Sequence, residues 1–406
     1  MSERMQWVNA LSTKPSLEEA VAEVVEIIKT QLTSTPDLGI IFASVTYAND
    51  YSRLMPLLQK QLPIPCVIGC GAVGVIGMKN ANQPVEMEGK CGLSLTVATL
   101  SGAKVTPFHI LSENLPDLDS PPSAWYDLIG VDAQEKPNFI LLAESFFASR
   151  INELLEGLDY AYPKTVKIGG LASTSALFYY DGGNSKRQLL TRGAIGVAIS
   201  GVAVDAIVAQ GCRPVGQIYQ VTKAEKNIIL EMSDSSGNSD TALNCLRRLI
   251  ATLSPTEQKL ATHSLFIGIA KDEFQLELGA GDFLIRNLIG VEPKYGALAL
   301  GNRIRPGQRV QFHLRDAKAS ADELETLLVN YSYRQSSHPL GALMFSCLGR
   351  GEGLYKQPNF DSQLFSDYFP GIPLGGFFCN GEIGPLGSST FLHGYTSVFG
   401  IFYPTQ

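Results

Sequence analysis

The apolar residues of this chain fall into short runs that recur in a fixed order. Four runs have the length of a buried strand and are too short for a buried helix. About thirty residues after each run comes a glycine-bearing element, and a further strand pattern follows. The apolar runs are 38–44, 139–143, 265–270 and 342–347, the glycine elements 69–77, 169–173, 296–301 and 375–384, and the later strands 92–100, 194–201, 310–314 and 392–402.

Helical periodicity fills the gap between strand and glycine element in three of the four cases. Residues 51–61, 150–158 and 361–369 place leucines and aromatic residues three or four positions apart, along one helix face. The pattern predicts four strand–helix–strand–strand pseudo-repeats, paired into two halves. The alternative is the chance alternation found in any α/β protein. The predicted class is α/β, with two related domains, 1–210 and 211–406, whose mixed β-sheets are covered by helices.

Composition indicates a globular protein of a reducing compartment. Of the 406 residues, 45% are hydrophobic and 17% are charged, a balance too apolar for a disordered chain. The seven cysteines are scattered and form no C-x-x-C pair. No stretch approaches the roughly 18 apolar residues of a membrane-spanning helix, and residues 1–7 lack the features of a signal peptide. We therefore expect a cytoplasmic protein without a membrane partner.

Neither a nucleic acid, a cofactor nor a metal is an expected partner. The net charge of −7 opposes binding to phosphate backbones. A G-x-G-x-x-G motif occupies 69–74, but the residues after it are poor helix formers, whereas a dinucleotide site needs a helix there. These glycines are better explained by close packing or by a pocket lining. Cys66, Cys70 and Cys91 have no nearby histidine and match no zinc spacing.

Several reactive groups lie among glycines and aromatic residues near the C-terminus. The segments are 346–351, 375–385 and 391–396. Glycine allows a backbone to approach another group closely, so this combination favours a ligand site. The residues predicted to line it are Cys347, Arg350, Gly376, Phe377, Asn380, Glu382 and His393.

Two other arrangements of these C-terminal residues stay open. Cys347 and His393, with Asn380 as orienter, would make a nucleophile and base. Alternatively, Glu382 pairs with Arg350 in a purely structural network. In the ligand-site interpretation, Arg350 would clamp a carboxylate or phosphate with its two parallel donors.

A second candidate segment lies at 169–175, where three hydroxyl residues follow two glycines. Gly170 and Ser173 would present N–H and O–H donors to an anion. The same residues would equally suit a tight turn whose side chains satisfy its own backbone. Both interpretations stay open.

These motifs make the chain resemble the FIST family, whose members pair a FIST N with a FIST C domain. The more specific matches are C-terminal: 296–298 with Arg303 and Gly307, 313–316, 347–351, 373–385 and 393–396. The N-terminal half resembles the partner domain through 69–70 with Gly74, 169–170 and 193–196. Together they cover nearly the whole chain. Val75 departs from the acidic residue that many members carry there, which puts a polar role of that loop in doubt.

The resemblance implies a stand-alone bacterial-type member with a FIST N-like domain at 1–210 and a FIST C-like domain at 211–406. It implies a sensory protein that recognises a small polar metabolite, such as an amino acid, and signals through a partner protein. Eukaryotic relatives join these domains to an F-box in ubiquitin-ligase adaptors, so an interaction scaffold is one alternative. The family supplies no catalytic mechanism; a Cys-dependent enzyme using Cys347 with His393 is the other alternative.

Overall fold

A computed structural model describes residues 5–183, 188–335 and 337–405. The chain forms two compact units, one comprising Met1–Ala209 with Glu325–Gln406 and the other Gln210–Leu324. The predicted halves, 1–210 and 211–406, stay a prediction. About 30% of the chain is helix and 41% strand, so the predicted α/β class with several mixed sheets is confirmed.

Within residues 5–183 and 188–209, the first unit has thirteen strands and four α-helices. They are β1 (Gln6–Ser12), α1 (Leu17–Gln31), β2 (Leu38–Ser44), α2 (Tyr51–Gln61), β3 (Cys66–Ala72), β4 (Gly74–Asn80), β5 (Gln83–Glu88), β6 (Leu93–Thr99), β7 (Lys104–Ile110), α3 (Pro122–Ile129), β8 (Asn138–Ala143), α4 (Ile151–Ala161), β9 (Lys167–Leu171), β10 (Leu177–Asp181), β11 (Leu189–Leu190), β12 (Ala194–Ser200) and β13 (Val202–Ala209).

The second unit follows, and the chain then returns to the first unit within α7. The elements are β14 (Cys212–Glu225), β15 (Ile228–Ser233), β16 (Ser239–Thr241), α5 (Ala242–Thr252), α6 (Pro255–Ser264), β17 (Leu265–Ala270), β18 (Phe283–Glu292), β19 (Ala297–Leu300), β20 (Arg309–Arg315), α7 (Ala317–Arg334), β21 (Gly341–Cys347), α8 (Gly351–Tyr355), α9 (Phe360–Tyr368), β22 (Leu374–Cys379), β23 (Glu382–Leu386), β24 (Ser389–His393) and β25 (Ser397–Pro404).

Three sheets of the first unit share one topology. Their strand orders are β1-β6-β2-β3-β10-β11, β7-β12-β8-β9-β23-β24 and β13-β25-β21-β22-β4-β5. In each sheet a central parallel pair is linked by a helical segment, as right-handed βαβ crossovers require. The hairpin after each pair joins a neighbouring sheet: β4-β5 joins the third, β10-β11 the first and β23-β24 the second. Three repeats thus exchange hairpins in a cycle.

Gly69, Gly169 and Gly376 occupy the same position of the second parallel strand in the three repeats. A Cβ atom there would lie 1.8 or 1.9 Å from a carbonyl oxygen of the preceding strand, far inside contact distance. The oxygens belong to Ile41, Leu141 and Met344, which are the register partners of the three glycines. Only glycine fits such an approach. The G-x-G-x-x-G motif at 69–74 therefore spans the β3–β4 turn and serves close packing.

The inner faces of the three sheets meet in one hydrophobic core. Phe42, Leu142 and Phe345 hold equivalent positions on the three central strands and are buried there. Phe377 packs against both phenylalanines, with ring centroids 4.8 Å from Phe42 and 5.8 Å from Phe345. Helices cover the outer faces because one side of each is apolar; α1, for example, buries Val21, Val24, Val25 and Ile28.

The second unit does not repeat this topology. Its sheet has the order β14-β20-β17-β18-β19-β15-β16, and the third apolar run, β17, pairs antiparallel with both β18 and β20. The chain reaches β18 through the loop 271–282 rather than through a crossover helix, so no parallel pair forms there. Three of the four predicted pseudo-repeats therefore share one topology.

Candidate functional site

The carboxyl ends of the three parallel pairs are the natural place for a site, because polar side chains follow the buried strands there. Ser44 and Glu144 end or follow their central strands at equivalent positions. Each accepts a backbone N–H from the residue just before the adjacent antiparallel strand, from Gly92 at 3.0 Å and from Gly193 at 3.4 Å. Cys347 holds the third equivalent position.

Cys347 is half-buried, and its sulfur accepts a hydrogen bond from the N–H of Gly349 at 3.4 Å. Its register partner across the parallel pair is Cys379, a fully buried thiol that the candidate-site prediction missed. The N–H of Leu348 donates to the carbonyl of Cys379 at 3.1 Å, so the two strand ends are joined.

Arg350 is fully buried. Its Nε and Nη2 donate to the two carboxylate oxygens of Asp361 on α9 at 2.6 and 3.0 Å. The hydroxyl of Tyr355 and the carbonyl of Tyr395 also accept from this guanidinium. Asp361 is therefore a carboxylate partner of Arg350 that sequence reasoning did not name, and the alternative pairing of Arg350 with Glu382 stays a prediction. Glu382 lies on β23, which joins the second sheet.

Glu382 is fully buried and bridges two backbones. Its Oε2 accepts the N–H of Thr396 at 3.0 Å, and its Oε1 lies 3.6 Å from the Sγ of Cys379, which donates to it. Burial first, and the Glu382 charge second, raise the pKa of the Cys379 thiol well above its usual value. His393, the register partner of Glu382, donates from Nε2 to the carbonyl of Gly384 at 3.0 Å.

The two predicted segments do meet in the fold. Gly170 on β9 is the register partner of Glu382, and the N–H of Asn380 donates to the carbonyl of Leu171 at 3.0 Å. Ser173 accepts the N–H of Val73 at 2.8 Å and donates to the carbonyl of Phe378 at 3.0 Å, so its hydroxyl satisfies the backbone of the turn. Gly376 makes the close contact between β22 and β21 described above, and Phe377 lies in the central hydrophobic core. Whether these nine residues bind a ligand stays a prediction.

A buried acidic cluster supports the helices of the third repeat. Glu86 on β5 accepts the N–H of Ser362 at 2.8 Å, and Glu88 accepts the N–H of Glu352 at 2.8 Å. Burial, and then the charge of Asp361, raise the pKa of Glu86 to about 8. The hairpin β4-β5, which follows the parallel pair of the first repeat, thus binds the first turns of α8 and α9 through these carboxylates.

The second repeat contains an open cavity of about 320 Å³ at the position that corresponds to Cys347. Glu144 lies in its wall, is 3% exposed, and accepts the N–H groups of Phe146 at 2.6 Å and Gly193 at 3.4 Å. Arg192 and Glu113 stand at the rim, with 3.8 Å between Nη2 and Oε2. Ser112, Phe146, Phe147 and Thr191 complete most of the lining.

The candidate-site prediction overlooked Glu144, although the signal that pointed to Cys347 was present for it too. Cys347 is the last residue of its buried strand, β21, and Glu144 directly follows the equivalent strand, β8. Glu144 is followed by Ser145 and Phe146, and Phe146 is 85% exposed, which is unusual for an aromatic side chain. A buried carboxylate beside an exposed ring, in a cavity of this size, can receive a small ligand with a cationic group.

Two family models match the chain, the FIST N domain over residues 37–235 and the FIST C domain over residues 242–385. The chain belongs to the FIST family. FIST domains are sensory domains linked to signal transduction. The FIST N match includes the first two parallel pairs with their glycine positions, and the FIST C match includes the third parallel pair and the segment 380–385.

Similar proteins occur in distant organisms. An uncharacterized protein of Mycobacterium tuberculosis is 31% identical over 402 residues, covering 97% of this chain and 98% of the relative. F-box only protein 22 of Homo sapiens is 46% identical over 48 residues, which is 12% of each chain. A cyanuric acid hydrolase structure from A. caulinodans covers 99% of this chain at 8% identity and a TM-score of 0.35. So weak a likeness transfers neither a reaction nor its residues.

Two further observations limit the chemistry of the described part of the chain. Among residues 5–183, 188–335 and 337–405, no group of three or more His, Cys, Asp or Glu is arranged to hold a metal ion. Within the same residues, no helix combines the length and the apolar character needed to cross a bilayer.

Proposed function

We propose that this FIST protein is a sensory module that binds a small polar metabolite, such as an amino acid, in the cavity beside Glu144. The observation that supports the proposal is the nearly complete burial of the Glu144 carboxylate in the wall of an otherwise open cavity. Buried carboxylates are costly unless partners satisfy them. The two N–H donors occupy only part of the acceptor capacity of this carboxylate.

Charges of both signs at the cavity suit a zwitterion. The ammonium group of an amino acid would lie beside Glu144 or Glu113, and its carboxylate beside the guanidinium of Arg192, which provides parallel donors. A volume near 320 Å³ is at the small end of ligand pockets, so a metabolite of few heavy atoms fits better than a nucleotide. A partner protein would then read the bound state, in keeping with the role of FIST domains in signalling.

A thermal-shift screen of the full chain tests this proposal. The panel pairs each amino acid with the matching carboxylic acid that lacks the amine and with the matching amine that lacks the carboxylate. A ligand at about 100 times its Kd stabilises the folded state by about 2.7 kcal/mol. We expect at least one amino acid to raise Tm by several degrees and its two truncated analogues to do so less.

Glu144→Gln is the informative variant, because glutamine keeps one acceptor for the local N–H groups and removes the charge. It should keep the unliganded Tm within a few degrees and abolish the ligand-induced shift. Glu156→Gln, on the exposed side of α4, is the matched control and should leave the shift intact. An amino-acid shift that survives in Glu144→Gln would place the ligand elsewhere and refute the proposal.

A further inference from the structure

Cys347 and Cys379 face each other across two neighbouring parallel strands. They are the last residues of β21 and β22, and their Cα atoms are register partners. Neighbouring strands lie about 4.8 Å apart, within the Cα–Cα range of about 4.4–6.8 Å that a disulfide needs. Facing residues also direct their side chains to the same side of a sheet. We infer that Cys347 and Cys379 form a reversible disulfide on exposure to a peroxide, which makes this strand pair a redox-sensitive site.

This facing arrangement distinguishes the pair from the other strand cysteines. Each of the other cysteines that lie in described strands has a register partner that is not cysteine. Cys66 faces Leu38, Cys70 faces Phe42 and Cys212 faces Arg315. Cys245 lies within α5, and Cys91 precedes β6.

The two thiols differ in access, as an attacking and a resolving cysteine do. Cys347 is half-buried, next to the exposed Leu348 and Gly349, so a peroxide can reach its sulfur. Cys379 is fully buried, so a solvent-borne oxidant meets Cys347 more readily than Cys379. Both residues end their strands, where the backbone can adjust more freely than in the strand interior.

The chemistry balances with a peroxide as the only oxidant. The Cys347 thiolate attacks one peroxide oxygen, the O–O bond breaks, and the products are a sulfenic acid and hydroxide, which takes up a proton to become water. Cys379 then attacks the sulfenic sulfur, the S–O bond breaks, and a second water leaves. The Oε1 of Glu382, which already accepts the Cys379 S–H at 3.6 Å, takes the proton of this thiol as it attacks, and the leaving hydroxide takes up this proton to depart as water. A cellular dithiol restores both thiols by exchange.

Disulfide formation would change the hydrogen bonding at the strand ends. Cys379 now donates to the carbonyl of Ser346 at 3.3 Å and to Glu382, and both bonds are lost when its proton leaves. Glu382 in turn holds the N–H of Thr396. Oxidation at Cys347 is thus transmitted to the loops that follow β21 and precede β25, which is the kind of local change a signalling partner can read.

Peptide mapping of the full chain tests the inference. The protein is treated with hydrogen peroxide, remaining thiols are blocked with N-ethylmaleimide, and the chain is digested with trypsin without reduction. Cleavage after Arg350 separates the two cysteines, so peptides 335–350 and 357–406 each carry one of them. We expect these peptides to appear as a linked species that dithiothreitol removes. Cys347→Ser and Cys379→Ala should each abolish it.

Trapping the sulfenic acid at Cys347 provides a second, independent test. In Cys379→Ala the sulfenic acid at Cys347 has no resolving thiol, so dimedone labelling of peptide 335–350 should increase relative to wild type. Circular dichroism verifies that both variants fold. Cys91 is the matched control thiol, because it too is half-buried. The inference is overturned if peroxide modifies Cys91 before Cys347. It is also overturned if oxidised Cys347 forms no disulfide with Cys379, whether it stays unlinked or links to another cysteine.

Discussion

Arg350 and Asp361 form a two-bond ion pair from which solvent is excluded. The Nε–Oδ2 distance is 2.6 Å and the Nη2–Oδ1 distance 3.0 Å, and at most 1% of either side chain is exposed. The pair joins the residue before α8 to the first turn of α9. Removing one partner of a buried pair leaves an uncompensated charge, which costs about 3–5 kcal/mol.

Arg350→Met should therefore destabilise the fold by about 3–5 kcal/mol, measured by urea denaturation at neutral pH. Arg53→Met is the control, because the Arg53 side chain is 52% exposed and its ion pairs lie at the surface. Exposed pairs contribute about 0–1 kcal/mol. The double variant Arg350→Met with Asp361→Leu should regain much of the lost stability. A loss below about 1 kcal/mol in Arg350→Met would show that the guanidinium is not structural.

Gly376→Ala tests the close contact that recurs in the three repeats. The new methyl group would lie 1.9 Å from the carbonyl oxygen of Met344, which belongs to a paired backbone and cannot move aside. Overpacking costs about 1–3 kcal/mol where side chains can yield, and a backbone contact should cost more. The variant should unfold at lower urea or fail to accumulate as soluble protein.

Gly353→Ala is the matched control for this substitution. Gly353 lies in α8, and a Cβ atom there meets nothing within 4 Å. Alanine is favoured over glycine in helices by about 1 kcal/mol, so this change should be neutral or stabilising. Equal stability of Gly376→Ala and Gly353→Ala would contradict the proposed steric role.

The strands and helices of the repeats could be predicted from the sequence because their apolar periodicity is local. The runs at 38–44 and 139–143, for example, correspond closely to β2 and β8. The partners of those strands could not be predicted. Each hairpin joins the sheet of another repeat, and the order of apolar and polar residues within a hairpin does not indicate which sheet it joins.

This exchange also explains what could be predicted of the candidate site. The glycine-rich segments at 169–173 and 380–385 do meet, as Gly170 and Glu382 show. Asp361 was not predicted as a partner of Arg350, because it lies on α9, whereas the segment that drew attention carries Glu382 on the exchanged strand β23. The cavity beside Glu144 depends on the shape of a loop rather than on a run of residue types, and sequence spacing does not report that shape.

Lys167 provides a second buried charge whose partner can be removed. Its Nζ lies 2.8 Å from Asp159 and donates to the carbonyl of Tyr162 at 2.8 Å, and 1% of the side chain is exposed. Asp159 also accepts the N–H and hydroxyl of Thr390 on β24. Asp159→Ala should cost about 3–5 kcal/mol in urea denaturation. Asp127→Ala on α3, which breaks no buried pair, should stay within about 0.5 kcal/mol of wild type.

Glu86 predicts a pH dependence of stability with a defined sign. Burial and the charge of Asp361 raise its folded-state pKa to about 8, above the value near 4.5 of an unfolded glutamate. The folded state therefore keeps a proton that the unfolded state has lost. Stability from this group is complete below about pH 4.5 and is lost as the pH rises through about 8. The slope reaches at most about 1.4 kcal/mol per pH unit for one proton.

Glu86→Gln isolates this effect, because glutamine mimics the protonated acid and still accepts the N–H of Ser362. Urea denaturation at pH 5 should give similar stabilities for the variant and the wild type. At pH 8.5 the variant should be more stable by a few kcal/mol. In the wild type, Glu86 must either be ionised while buried or stay protonated at a pH where an exposed glutamate is ionised, and both cost free energy. Glu156→Gln, on an exposed helix face, should follow the wild type at both pH values. Parallel pH profiles for wild type and Glu86→Gln would show that Glu86 is ionised in the folded protein at little cost.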